Sequence, residues 1–281
     1  MIPNEFEYLR AGSVDEAISL LQAHEDAKIL AGGHSLIPVM KLRLNAPAQL
    51  IDISRVPELR SIREEGNTIV IGACVTHQEI ASSELIQSKL PILAEAANMI
   101  GDVQVRNMGT IGGSLAHADP AADWPASMLA TEAEIIVKGP NGERSIAASD
   151  FFVGLFTTML EPLEILTGIR IPMPATHSKS TYVKFVQPAS RFAIVGCAVV
   201  LEKNNGHIDN IKVAFTGVST KAFRDVNVEN ALKGKSLDAT NIAVAAEQAA
   251  EGVDVLGDHF ASNEYRKHLA KVYLKRALNS L

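Results

Sequence analysis

"ILAGGHSLIPVMKLRL", residues 29–44, is the stretch whose reading decides the fold. An apolar run ends at Leu30, then Gly32, Gly33, His34 and Ser35 intervene before a second apolar run. A tight turn needs one glycine; two in succession imply that something approaches the backbone closely. The preceding "AKIL" reads as a short buried strand. Ser35 is placed to cap a short helix, in whose first turn Pro38 is tolerated. Consecutive N–H groups in such a turn, ahead of a helix N-terminus, form a concave donor surface suited to phosphate.

Residues 105–129, "VRNMGTIGGSLAHADPAADWPASML", form a second glycine-rich segment. One such loop can hold one phosphate, and two facing loops could clamp a pyrophosphate, with glycine required so that no Cβ blocks the ligand. On turn chemistry alone, either segment reads more readily as a structural turn. The pair, each opening a helical stretch, favours ligand binding. Familiar nucleotide motifs fail. There is no Gly-x-Gly-x-x-Gly, and Gly234-Lys235-Ser236 has Glu229 where a P-loop needs its first glycine. Gly33-His34-Ser35-Leu36-Ile37 lacks the closing glycine of a nucleophile elbow. His117, Asp119 and Asp123 have spacings that fit no metal-ligand set, and capping or hydrogen bonding suits them better.

Around these segments the periodicity is ordinary. Residues 13–24 read as an amphipathic helix capped by Ser13 with Glu16 at the capping-box position, and 89–100 as a packed helix. "QLIDISRV", "TIVIGACV" and "AEIIVKG" read as strands, and "RSIAASDFF" suits strand and connection more than helix. Prolines and a Ser/Thr-rich stretch place a domain boundary near 173–178. Beyond it, "RFAIVGCAVVLEKNNGHIDNIKVAFTGV" reads as two long strands joined at Asn204-Asn205-Gly206. Helical patterns follow at 227–233, 239–251 and 262–280. The last carries Arg266, Lys267, Lys271, Lys275 and Arg276, read as a solvated face with a partner-docking surface as the second reading.

The 281 residues, 47% hydrophobic and 21% charged, suit one large or two modest globular domains, and the net charge of −6 gives no reason to expect a nucleic-acid partner. Cys74 and Cys197 lie in apolar runs and read as buried thiols; without a Cys-x-x-Cys pair the chain cannot by itself hold an iron–sulfur cluster or structural zinc. The N-terminus lacks a targeting pattern and no apolar run is long enough to cross a membrane, so a cytoplasmic protein is expected.

"AGGHSLIP" together with "VRNMGTIGGSLAHADPAAD", and "QPASRFAIVGCAV" further on, resembles the FAD-binding medium subunit of molybdenum hydroxylases, the family of aerobic carbon monoxide dehydrogenase and xanthine dehydrogenase. The resemblance covers essentially the whole chain. It implies an α+β fold: a vanillyl-alcohol-oxidase-type (PCMH) FAD-binding domain over 1–175, with subdomains of about 1–57 and 58–175. A C-terminal domain over 176–281, a three-stranded sheet plus a helical bundle, would close over the flavin. Carried over by position, Ala31, Gly32, Gly33, His34, Ser35 and Leu36 would surround the pyrophosphate from one side. Thr110, Gly113 and Ser114 would meet it from the other, with His117 close by. Asp123 would hydrogen-bond the adenosine or ribityl hydroxyls, Ile165 and Leu166 would lie near the isoalloxazine edge, Lys184 near its polar end and Phe192 beside the ring. The sequence departs from the family at Ser114, where many relatives have asparagine, and at Phe192, where some have tyrosine. It also lacks the cysteine-bearing insertion of one branch.

The resemblance further implies partners: a small iron–sulfur subunit with 2Fe-2S clusters, and a large subunit whose molybdenum cofactor supports hydroxylation using water. The complex would be a heterotrimer, as a dimer of heterotrimers, delivering electrons to NAD, a quinone or oxygen. A stand-alone flavin reductase of the same fold is the alternative enzyme, though it needs a substrate site and proton donor that the sequence does not display. A nucleotide-binding assembly or regulatory module is the non-enzymatic alternative.

Overall fold

The computed structural model describes residues 2–281. In the N-terminal part, strands Glu7–Arg10, Gln49–Asp52 and Ala27–Leu30 form a parallel sheet with Gln49–Asp52 in the middle. Parallel neighbours need a crossover, and helix Val14–Ala23 lies between the first two strands of the chain. Ser13 caps this helix by accepting from the Glu16 N–H, as the spacing predicts. The Glu16 carboxylate, however, takes the N–H of Gly12, so the reciprocal half of the capping box is not formed.

The middle part is an antiparallel sheet in the order Ile62–Glu65, Thr68–Gly72, Ile165–Pro172, Glu134–Gly139, Gly142–Ala147. "RSIAASDFF" divides: its strand ends at Ala147 and Ala148–Phe151 is one helical turn. Between Gly72 and Glu134 the chain makes helices His77–Ser82, Glu84–Lys89, Pro91–Met99, Val103–Met108, Ile111–His117 and Trp124–Ala130. His77–Ser82 opens with a complete capping box, Thr76 and Glu79 each satisfying the other's backbone N–H.

The C-terminal part departs from the expected three-stranded sheet. Ser178–Val186, Ala193–Asn204 and His207–Thr216 are joined by a fourth, two-residue strand, Phe223–Arg224. Asn205 and Gly206, with φ of 50° and 81°, form the two-residue turn whose twist suits a hairpin. The long central strand is covered on both faces, which explains its near-continuous apolar sequence. Val195, Cys197, Val199 and Leu201 face the helices Val226–Leu232, Ala239–Ala246 and Asn263–Asn279, while Ala198 joins the core of the middle part. A Cβ at Gly196 would lie 2.3 Å from the Tyr182 hydroxyl, so this glycine makes room for the tyrosine on the neighbouring strand.

The charge run of the last helix is only partly a solvated face. Lys267, Lys271 and Lys275 pair with Glu251 and Glu247 near the surface. Arg266 is buried, donating from Nη1 to the carbonyls of Ile194 and Gly217, both at 2.6 Å, and from Nη2 to Asp258. It falls at helical spacing with the buried Leu269, Ala270, Tyr273, Leu274 and Ala277, so the apolar stripe carries it inward. Replacing Arg266 with Met leaves both carbonyls without that donor and is expected to cost about 2–4 kcal/mol in urea unfolding. Lys275→Met, at an exposed pair, is expected to cost less than about 0.5 kcal/mol.

Both cysteines are buried free thiols. Burial pushes Cys74 up to about 12 and Cys197 further up, so neither is a ready nucleophile. Among the described residues no cluster of His, Cys, Asp and Glu could hold a metal ion, and no helix is long and apolar enough to cross a membrane.

Candidate functional site

The two glycine-rich loops meet, and their contact gives the glycines a different reason from ligand clearance. A Cβ on Gly32 would lie 2.1 Å from the Met108 carbonyl oxygen and 2.8 Å from Gly109 Cα, so Gly32 is required for one loop to cross the other. Gly33 has φ of +72°, the left-handed conformation that turns the chain. At Gly112 a Cβ would strike Ala73, which lets the helix Ile111–His117 seat directly on the chain leaving strand Thr68–Gly72.

The loops differ in the donors they leave free. The main-chain N–H groups of Gly32, Gly33, His34 and Ser35 have no acceptor among the described residues. Ser35 does not cap the next helix, Leu36–Lys41, as the sequence suggests: it sits in the helical region and its hydroxyl makes no capping bond, so it stays available. The second loop is different. Ile111 N–H donates to Val75 O, Gly112 N–H to Ala73 O, Gly113 N–H to Thr110 Oγ1 and Ser114 N–H to Thr110 O. Thr110 is thus a helix cap, and Ser114 contributes a side-chain hydroxyl rather than a backbone donor.

These loops form one end of a cavity of about 850 Å³, within the roughly 300–1,000 Å³ typical of small-molecule sites. Every residue expected from the resemblance lines it except Lys184. Ile165 and Leu166, buried at the start of their strand, form part of an apolar wall, and half-exposed Phe192 stands on the loop after strand Ser178–Val186. The His117 ring lies against Phe156 with centroids 5.1 Å apart.

Lys184 and Asp123 are engaged with each other. The Lys184 ammonium is fully enclosed behind the wall. It lies 2.9 Å from both Asp123 oxygens and donates to the carbonyls of Met99 at 2.9 Å and Arg191 at 2.7 Å. Tyr182 donates its hydroxyl to Asp123 at 2.5 Å. Asp123 reaches the cavity while its carboxylate accepts from Tyr182 and Lys184 in this buried knot. Burial pushes Asp123 up and Lys184 down, while each charge pulls the other back. Three acceptors around one nitrogen require the three hydrogens of an ammonium, so the pair is ionic. Its effect is to tie the middle part to the C-terminal sheet and to hold the Arg191 carbonyl, and with it the loop bearing Phe192.

Several wall residues escape the sequence reading. His77 is buried with its Nδ1 accepting from the Trp124 indole N–H at 3.1 Å. Asp119, read in the sequence as a capping or hydrogen-bonding residue rather than a metal ligand, accepts from the Ala121 N–H and presents to the cavity a carboxyl whose affinity for its proton is raised by burial, against the pull of that N–H. Residues 160–164 and Arg191 complete the wall. No local pattern marks them, because their places follow from long-range packing.

Four unengaged N–H groups, free hydroxyls and an apolar far wall fit a ligand with an anionic end and a planar apolar end, so FAD suits the residues present. The fold and cavity define an α+β flavin-nucleotide-binding protein. Residues 4–174 match the FAD binding domain in molybdopterin dehydrogenase, and residues 180–281 match the CO dehydrogenase flavoprotein C-terminal domain. The chain therefore belongs to the FAD-binding medium chains of the carbon monoxide, xanthine and aldehyde dehydrogenase type, oxidoreductase flavoproteins with FAD as cofactor. It is 44% identical to the carbon monoxide dehydrogenase medium chain of Hydrogenophaga pseudoflava, over 100% of this chain and 98% of that one. It is 38% identical to the glyceraldehyde dehydrogenase medium chain of Sulfolobus acidocaldarius, over the full length of both. The solved carbon monoxide dehydrogenase from H. pseudoflava that lacks the Mo-pyranopterin moiety superposes with a TM-score of 0.96 at 46% identity, covering 99% of this chain and 98% of that one. Quinoline 2-oxidoreductase from Pseudomonas putida 86 superposes at 0.94 with 33% identity, covering 100% and 98%.

Proposed function

We propose that this chain is the flavin-bearing relay of a cytoplasmic heterotrimer, paired as a dimer of heterotrimers. It takes electrons from a small 2Fe-2S subunit and passes them to an external acceptor, NAD, a quinone or oxygen. A large subunit carries the molybdenum cofactor and oxidises the substrate. The flavin supplies the redox chemistry, because it exchanges electrons singly or in pairs. The chain's own residues bind and orient it. The free N–H groups of residues 32–35 and the Ser35 hydroxyl hold the pyrophosphate, Ser114 and His117 approach it from the second loop, and Ile165, Leu166 and Phe192 frame the ring. The Lys184–Asp123 pair positions the Phe192 loop from behind.

The row of unengaged N–H groups opening into the cavity carries this reading. The stand-alone reductase is not favoured, because family membership spans the whole chain and pairs it with medium chains. The test is the visible spectrum of the purified chain with FAD added back, followed by isolation with its partners. An oxidised-flavin spectrum, bleached when the cluster-bearing subunit is reduced, is the expected result. A chain that takes up FAD but is never reduced through such a subunit would defeat the relay.

A further inference from the structure

Resting on the flavin reading above, we propose that His77 is a further arm of the pyrophosphate clamp, its Nε2–H donating to a phosphate oxygen on the side of the second loop, where the N–H groups of residues 111–114 are already engaged. The imidazole is fixed from two directions. Its main-chain N–H donates to the Gly109 carbonyl at 3.0 Å, and its Nδ1 accepts from the Trp124 indole. A neutral imidazole that accepts at Nδ1 carries its proton on Nε2. That N–H has no protein acceptor among the described residues, although the side chain is 95% buried and lines the cavity.

The position of Nε2 supplies the second half of the argument. A Cβ on Gly109 would lie 2.8 Å from it, and Gly109 is also what Gly32 touches. The imidazole edge therefore sits at the crossing of the two loops. A donor-only edge beside a row of free backbone N–H groups is matched by an acceptor-rich anion and repels a cation. Burial, with His34 and Arg106 nearby, pushes His77 down to about 3, so it stays a neutral donor throughout the physiological range. An imidazole held this way adds an N–H without placing a second charge in a buried site.

The test compares His77→Leu, which removes the donor, with His77→Gln, whose amide keeps an N–H near the Nε2 position. The probes are FAD, ADP as the pyrophosphate-bearing half, and riboflavin, which lacks phosphate. A hydrogen bond to a charged group corresponds to about a 10- to 100-fold change in affinity. H77L is expected to lose that much for FAD and ADP and nothing for riboflavin, with H77Q recovering most of it. Histidine nitrogen NMR of the wild-type chain provides a readout independent of mutation: Nε2–H stays protonated without titrating between pH 5 and 8, and its proton shifts when ADP is added. Unchanged ADP and FAD affinity in H77L overturns the assignment, as does an Nε2 proton indifferent to ADP. If H77L does not fold, the wild-type spectrum decides. A wild-type chain that binds no FAD even with its partner subunits overturns the flavin reading itself, a distinct failure.

Discussion

Gly32→Ala is expected to abolish FAD binding and to destabilise the apoprotein, while Gly33→Ala does comparatively little. The two residues are neighbours, and backbone preference alone ranks them the other way, since only Gly33 has a positive φ. Alanine in that conformation costs roughly 1–2 kcal/mol. Its Cβ would meet Ile37 Cγ1 at 3.2 Å and Leu30 Cδ1 at 3.4 Å, the ends of side chains that can move. Alanine at position 32 instead drives its Cβ to 2.1 Å from a main-chain carbonyl, where only separation of the loops relieves the clash. Such overpacking costs about 3 kcal/mol or more. Because the separation moves the free N–H groups away from the second loop, FAD affinity falls by more than about 100-fold, at 1.4 kcal/mol for each factor of ten. Flavin fluorescence titration and urea unfolding of both variants check this. A Gly33→Ala chain more damaged than Gly32→Ala would show that the turn, and not the crossing, is what the glycine pair protects.

That contrast bears on how much of the molecule is legible in its sequence. The strands around Leu30, Ile51, Ile71 and Ile136, the helices at 14–23 and 91–99 and the Asn205-Gly206 hairpin follow from local pattern, because period and turn chemistry decide them. The two loops are also legible as a pair, and they do meet. The reason for each glycine is not, because it depends on which backbone lies opposite. Nor does sequence show that the second loop's N–H groups are engaged by Val75 and Ala73, or that His77 meets Trp124, 47 residues away. Arg266 is misread with the solvated face because its charge argues for solvent, although its spacing from Leu269 and Tyr273 puts it on the buried apolar stripe. Lys184 shares a strand face with Tyr182, two residues earlier, and Asp123 draws both inward.

The same triad yields the other large effect. Lys184→Met is expected to cost about 3–5 kcal/mol near neutral pH, because it strands the Asp123 carboxylate in the interior with only Tyr182 to accept from. The Arg191 carbonyl loses its donor too, so the loop bearing Phe192 loosens and flavin fluorescence in the holoprotein rises toward that of free FAD. The loss depends on pH, with a definite sign. Burial already pushes Asp123 up in the folded chain, and without the ammonium nothing comparable opposes it. The folded variant then binds a proton that the unfolded chain, with an ordinary carboxyl, has released. Unfolding sheds that proton, so stability rises as pH falls toward the unfolded value and declines as pH climbs through the raised folded one. The deficit of Lys184→Met relative to wild type is therefore larger at pH 8 than at pH 5. Adding Asp123→Asn removes the stranded charge, recovers part of the loss and abolishes the pH dependence of the remainder. Urea unfolding of the single and double variants at both pH values measures all of this. A deficit independent of pH would mean that Asp123 and Lys184 do not stand as an ion pair, and the account of how the Phe192 loop is held would fall with it.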